Sequence, residues 1–167
     1  MSSIARLAVA ITLLLSVAGC GHRGAPPPPT DQITVYYSKA GSDALVAFHY
    51  SAAPGLAGAP RAQYAVEQLL AGPLDPAADL LTFPPDTRAK VTLHDATAVV
   101  DLSGSITKRF SRGAGDEAGL FKSLTYTVTD IPGITAVQIH LNGAVVPALP
   151  GGQLELDEPL SRTTFAQ

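Results

Sequence analysis

Thr135–Gly143 reads TAVQIHLNG, and its two halves fix the local architecture. Val137, Ile139 and Leu141 alternate with Gln138 and His140, the period-two pattern of a strand with one packed face and one wet face. Asn142-Gly143 then sits between that run and AVVPAL, residues 144–149. Asn-Gly accepts the positive φ angles of a two-residue turn, so the pair predicts a hairpin. Working outward, Lys90–His94 (KVTLH) and Ala96–Leu102 (ATAVVDL) are β-rich runs joined at Asp95, which predicts a second hairpin. Nearer the start, Ile33–Tyr37 (ITVYY) and Leu45–Tyr50 (LVAFHY) flank the turn Lys39–Asp43 and form a third.

Two helical stretches separate these pairs. Pro60 opens RAQYAVEQLLAG and Gly72-Pro73 closes it, with Tyr64, Ala65 and Leu69 near helical spacing. Gly113–Glu117 leads into AGLFKSLTYTVTDI, where Leu120, Leu124 and Val128 recur every four residues beside Phe121. Asp116 and Glu117 stand at the positively polarised start of this second helix, and Pro132-Gly133 follow its end. The resulting order is β-β-α-β-β-α-β-β. It predicts an α+β fold: a single small domain with a mixed or antiparallel sheet and two helices packed on one face.

The opening 20 residues follow a different logic. Met1–Arg6 carries a single positive charge, Leu7–Val17 (LAVAITLLLSV) is an apolar run, and Ala18-Gly19 precede Cys20. Basic start, apolar core and small residues at a cut site are the order of a secretory signal. The run falls short of the roughly 20 residues that a membrane-crossing helix needs. Cys20 is the only cysteine, so it has no intramolecular disulfide partner, and no neighbouring residues complete a zinc site. Val17-Ala18-Gly19-Cys20 resembles the lipobox of bacterial lipoproteins. The resemblance implies cleavage between Gly19 and Cys20, addition of a diacylglyceryl group with palmitate-type chains to the thiol, and Cys20 as the first mature residue. Burial of about 0.8 kcal/mol per methylene makes two or more chains a stable anchor.

Residues 20–32 follow as the lipidated cysteine and a stalk, GHRGAPPPPTDQ after the cysteine. Four consecutive prolines favour polyproline II at about 3.1 Å per residue, so the stalk spans at most roughly 37 Å. Residues 1–19 are thus assigned to the signal peptide, 33–162 to the folded domain and 163–167 to a C-terminal tail. The whole chain holds 11 Lys and Arg against 14 Asp and Glu. Without Arg6 the mature chain is mildly acidic and has no basic stripe, which excludes a nucleic-acid partner.

Residues 33–162 resemble the GerMN domain of sporulation and spore-germination proteins. The likeness rests on Leu69-Leu70-Ala71-Gly72-Pro73, on FPPDTRAKVTLHDATAVVDLS (83–103), on TVTDIPGITAVQIHLNG (127–143) and on Pro159-Leu160-Ser161-Arg162. One departure is Asp86, where the family tends to carry glycine. The resemblance implies an extracytoplasmic, non-enzymatic role in protein contacts of the bacterial envelope, with no catalytic residues to carry over.

The residues offer little chemistry against that reading. There is no G-x-S-x-G elbow and no P-loop, and Gly113–Gly119 misses the dinucleotide pattern by one position while placing acids where a pyrophosphate would sit. Asp116 and Glu117 read as complements of a helix dipole; Asp157 and Glu158 read as a solvated terminal segment. His49, His94 and His140 lack chelate spacing, so neither a metal nor any cofactor is expected. Thr92, His94, Gln138 and His140 all fall on the helix-free face of the sheet, which makes that face the candidate binding surface. The expected function is a lipid-anchored, non-enzymatic binding or scaffolding module. It would attach to the cell membrane or outer membrane through Cys20, with the domain outside the cytoplasm and an envelope protein as partner. The alternative is an enzyme or accessory factor acting on cell-wall glycan or peptide.

Overall fold

The computed structural model describes residues 31–75 and 79–166. The signal peptide, Gly19, Cys20 and most of the stalk lie outside the described residues. The elements are β1 (Asp31–Ser38), β2 (Leu45–Ala52), α1 (Gly58–Ala71), β3 (Arg88–His94), β4 (Thr97–Ser103), α2 (Ala114–Thr129), β5 (Ala136–Leu141) and β6 (Ala144–Val145), with short 3-10 turns at Ser105–Thr107 and Arg162–Phe165. The α+β class and the element order agree with the sequence reading.

The strands divide into two sheets. β1 and β2 form an antiparallel pair, and β3-β4-β5-β6 form a mixed sheet in which β4 and β5 run parallel. All three expected hairpins are present. Asp95 takes φ 52° in the β3–β4 turn, while Asn142 and Gly143 take φ 50° and 84° in the β5–β6 turn. These are the left-handed angles that Asp, Asn and Gly tolerate best. The last hairpin is short, because β6 ends after two residues and Pro147 follows.

The sheet divides in two because of what α2 presents to β1. Beside the apolar stripe Leu120, Phe121, Leu124 and Val128, the helix carries a second buried row, Gly119, Ser123 and Thr127, spaced by four. The Tyr36 amide donates to Thr127 Oγ1 at 2.9 Å, and the Ser38 amide donates to Ser123 Oγ at 2.8 Å. Ser123 Oγ in turn donates to the Gly119 carbonyl at 2.8 Å. Hydroxyls therefore take the place of a neighbouring strand on that edge of β1. Gly119 is small for a steric reason, since a Cβ there would lie 2.6 Å from Leu81 Cδ1 and 3.2 Å from Ser38 Cβ.

The second sheet uses the same device. Gln63 of α1 accepts from the Val91 amide at 2.7 Å and donates to the Ala89 carbonyl at 3.1 Å, closing the outer edge of β3. The two helices pack on each other, α1 against β3 and β1, and α2 against β1 and β5. One continuous core results. It runs from Ile33, Val35 and Tyr37 through Ala65, Val66 and Leu69 to Val100, Leu102, Val137 and Ile139. Tyr37 is fully buried, and its hydroxyl donates to the Gln68 and Leu69 carbonyls in the last turn of α1. Carbonyls in the last turn of a helix are the ones left short of amide partners. Burial pushes the Tyr37 phenol far above its ordinary value.

The sequence signatures are joints of this framework. Gly72 takes φ 94° and its amide donates to Leu69, ending α1. Asp86 accepts from the Ser105 amide at 2.8 Å and from its hydroxyl at 2.5 Å, which ties the 84–87 turn to the segment after β4. Gly104, at φ 100°, packs directly on the Asp86 carbonyl. Leu160 pairs with Val137 on the edge of β5 that β6 leaves open. Arg162 then bonds Thr129 Oγ1 at 2.9 Å, pairs with Asp130 at 3.2 Å and lies 4.9 Å over the Tyr126 ring, docking the final turn on the end of α2.

Candidate functional site

The outer face of the four-stranded sheet is built by register. Lys90, Asp101 and His140 form one cross-strand row; Thr92, Val99 and Gln138 form the next; His94 and Thr97 begin a third. Cross-strand neighbours stand roughly 4.5–5.5 Å apart, close enough for their side chains to act as one surface. Lys90, Thr92, His94, Val99, Asp101 and His140 line a shallow depression of about 200 Å³. Thr92 and His94 are exposed and His140 is half-buried, so both histidines point away from the core as their periodicity requires.

Gln138 does not join that depression. Its amide nitrogen donates to the Leu156 carbonyl at 2.9 Å, so this side chain fastens the C-terminal segment instead of facing solvent. Asp101 has a partly structural task as well, accepting from the Gly143 amide at 2.7 Å and holding the β5–β6 turn. His49 lies on β2, in the other sheet, remote in topology from His94 and His140. Among the described residues no group of three or more His, Cys, Asp or Glu could hold a metal. The depression offers one ammonium, one carboxylate, two imidazoles and a hydroxyl on a nearly flat floor. That set suits contact with a polar protein surface better than enclosure of a small ligand.

A deeper cleft, of about 340 Å³, opens where the β1–β2 turn meets α2. Ser38, Asp43, Lys122, Leu154 and Phe165 are among its walls. Lys122 Nζ donates to the Asp43 carbonyl at 2.9 Å, which bridges the turn to the helix. Ser38 is 1% exposed, and its hydroxyl has no hydrogen-bond partner among the described residues. Sequence periodicity could not reveal this cleft, because its residues come from a turn, a helix and the chain end.

Glu117 does more than the helix-dipole role expected of it. It stands in the first turn of α2, where a complement of the helix dipole belongs, and it is fully buried. Its Oε2 accepts from the Gln153 amide at 2.6 Å and the Leu154 amide at 3.2 Å. Gly152 has no side chain because Glu117 Oε1 occupies the space where a Cβ would stand. The carboxylate therefore organises the 149–156 loop. Asp116 remains half-buried at the helix start, and Asp157 and Glu158 are exposed as expected.

Comparison with known proteins places this architecture. None of the curated proteins matches the sequence. Among solved structures, the first GerMN domain of the sporulation protein GerM from Bacillus subtilis is similar with a TM-score of 0.63, at 23% identity over 80% of this chain and 99% of that one. The tandem GerMN domains of the same protein give a TM-score of 0.61 at 22% identity, over 85% of this chain and 49% of the pair, so this chain spans about half of that tandem. A candidate lipoprotein from Clostridium perfringens gives 0.57 at 19% identity, over 80% and 88% of the two chains. The Germane family model, described as sporulation and spore germination, matches residues 34–147. That match spans well over half of the sequence, from β1 through the Asn142-Gly143 hairpin, and the protein belongs to the Germane (GerMN-domain) family.

Proposed function

We propose that this protein is a lipid-anchored, extracytoplasmic, non-enzymatic binding module of a bacterial cell envelope. The observation that carries the reading is the order of the first 32 residues: short basic start, apolar run, Val17-Ala18-Gly19-Cys20 and a proline stalk ahead of a single family domain. Among the described residues no helix is long and apolar enough to cross a membrane. Attachment through Cys20 supplies a membrane location without one. The fold's likeness to a candidate lipoprotein from Clostridium perfringens supports the same reading.

The contact surface for an envelope partner is the outer face of β3–β5 around Lys90, Thr92, His94 and His140. Its charges are mixed and its relief is low, as at many protein–protein interfaces. Cys20→Ser tests the anchor: the protein should move from the membrane fraction to the soluble fraction, and a variant that still pellets with membranes overturns the anchor. Incubation of the purified protein with cell-wall sacculi tests the non-enzymatic role. Release of glycan or peptide fragments overturns it.

A further inference from the structure

Among the described residues, the outer edges of β1, β3 and β5 each have outward backbone groups met from outside the strand. The outward amides of β1 at Tyr36 and Ser38 go to Thr127 and Ser123. The edge of β3 is closed by Gln63. The outer edge of β5 is met by β6 and by Leu160.

The outer side of β2 differs along most of its length. In the β1–β2 register, Tyr36 stands opposite Ala47 and Ser38 opposite Leu45. Because Tyr36 and Ser38 turn their backbone groups away from β2, their partners Ala47 and Leu45 turn theirs away from β1. His49 and Ser51 continue that row. The parity is confirmed at Ser51, whose carbonyl accepts from the Tyr64 hydroxyl at 2.8 Å. Among the described residues, the outward amides and carbonyls of Leu45, Ala47 and His49 have no other hydrogen bond.

The side chains do nothing to protect this edge. Natural edge strands are usually blunted by lysine, proline, a bulge or extreme shortness. β2 is 8 residues long, reads LVAFHYSA, holds no Lys, Arg, Asp, Glu or Pro, and pairs with β1 without a bulge. Ala47, His49 and Ser51 are exposed.

We infer that the outer edge of β2 pairs antiparallel with the same edge of a second copy of this chain. A two-fold axis at Ala47 sets Ala47 opposite Ala47 and Leu45 opposite His49 of the other copy. All three outward residues then exchange their amide and carbonyl bonds, six bonds in all by this register. The pairing places Asp43 opposite Ser51, so no like charges meet along the strand. It turns two marginal two-stranded sheets into one four-stranded sheet, β1-β2-β2-β1. A contact of one strand per copy falls in the small, transient class of interfaces. The outer face of β3–β5 is left free for another partner.

Cysteine crosslinking in the full chain tests this, with the wild-type chain, whose only cysteine is Cys20, and Ser111→Cys as background. Ala47→Cys should give a disulfide-linked dimer at least tenfold above both. Mixed copies of Leu45→Cys and His49→Cys should crosslink to each other, and neither should crosslink alone. Ala47→Lys added to the mixed pair should abolish the product by placing two ammonium groups on the axis, while leaving the inner bonds of β2 to β1 intact. A yield at Ala47→Cys no higher than at Ser111→Cys overturns the inference. So does a product in which Ala47→Cys is joined to a different protein, which would assign the edge to a foreign strand.

Discussion

Glu117 and Gly152 form a pair whose coupling can be measured. The carboxylate is fully buried and receives two backbone amides, at 2.6 and 3.2 Å. Hydrogen bonds to a charged acceptor contribute about 1.5–3 kcal/mol each, and part of that offsets the cost of burying the charge. Both amides belong to a loop near the surface, so water reaches them when the acceptor is gone. Glu117→Ala should therefore cost about 2–3 kcal/mol, or roughly 6–15 °C in Tm for a domain of this size. Gly152→Ala should cost about 2 kcal/mol, because its new methyl must displace the carboxylate and break the same bonds. It also comes within 2.9 Å of Leu149 Cβ, a clash that persists without the carboxylate. The double variant should thus lose less than the sum of the two singles, by about 1–2 kcal/mol. Urea unfolding of the four proteins gives the cycle, and amide exchange at residues 149–156 should accelerate in each single variant before global unfolding. Strict additivity, within about 0.5 kcal/mol, would refute the idea that the carboxylate occupies the glycine's missing volume.

The edge-closing hydroxyls make a second prediction. Ser123→Ala leaves the Ser38 amide buried without an acceptor and should cost about 1–3 kcal/mol, while Thr129→Ser, which keeps its hydroxyl on the exposed side, should stay within about 0.5 kcal/mol by thermal unfolding. Asp86 supplies a pH prediction: its bonds from the Ser105 hydroxyl, and then from the Ser105 amide, hold its carboxyl below the usual 3.8. A lowered folded-state value contributes stability above the unfolded value and loses it as pH falls through the folded one. The stability gap between the wild type and Asp86→Asn should accordingly be present at pH 7 and shrink below pH 3.8, read from urea midpoints across that range. For the proposed partner surface, Lys90→Glu with His140→Glu should leave Tm within a few degrees and reduce partner crosslinking in intact cells; unchanged crosslinking would remove the outer sheet face from consideration.

Alternation made the strands legible. Val137, Ile139 and Leu141, or Ile33, Val35 and Tyr37, mark a packed face whatever sheet they join. Asp95 and Asn142-Gly143 announced their turns because few residues tolerate the angles those turns require. The division into two sheets was not legible. Pairing within a hairpin is local, but whether β1 meets another strand or a helix depends on Ser123 and Thr127, which in a linear reading are two ordinary polar positions. The second role of Glu117 was hidden for a related reason. An acid in the first turn of a helix satisfies the dipole argument, and nothing local tells that the chain returns 36 residues later to place Gln153 against it. Of the four surface residues expected together, Thr92, His94 and His140 do share one depression. Gln138 sits on the correct face but is claimed by Leu156, a contact between segments 18 residues apart.

The proposed membrane anchor is tested most directly by the chemistry at Cys20. Mass spectrometry of the protein extracted from membranes should find its first peptide starting at Cys20, with a diacylglyceryl group on the thiol. A mature N-terminus at another residue, or an unmodified Cys20 thiol, would contradict it.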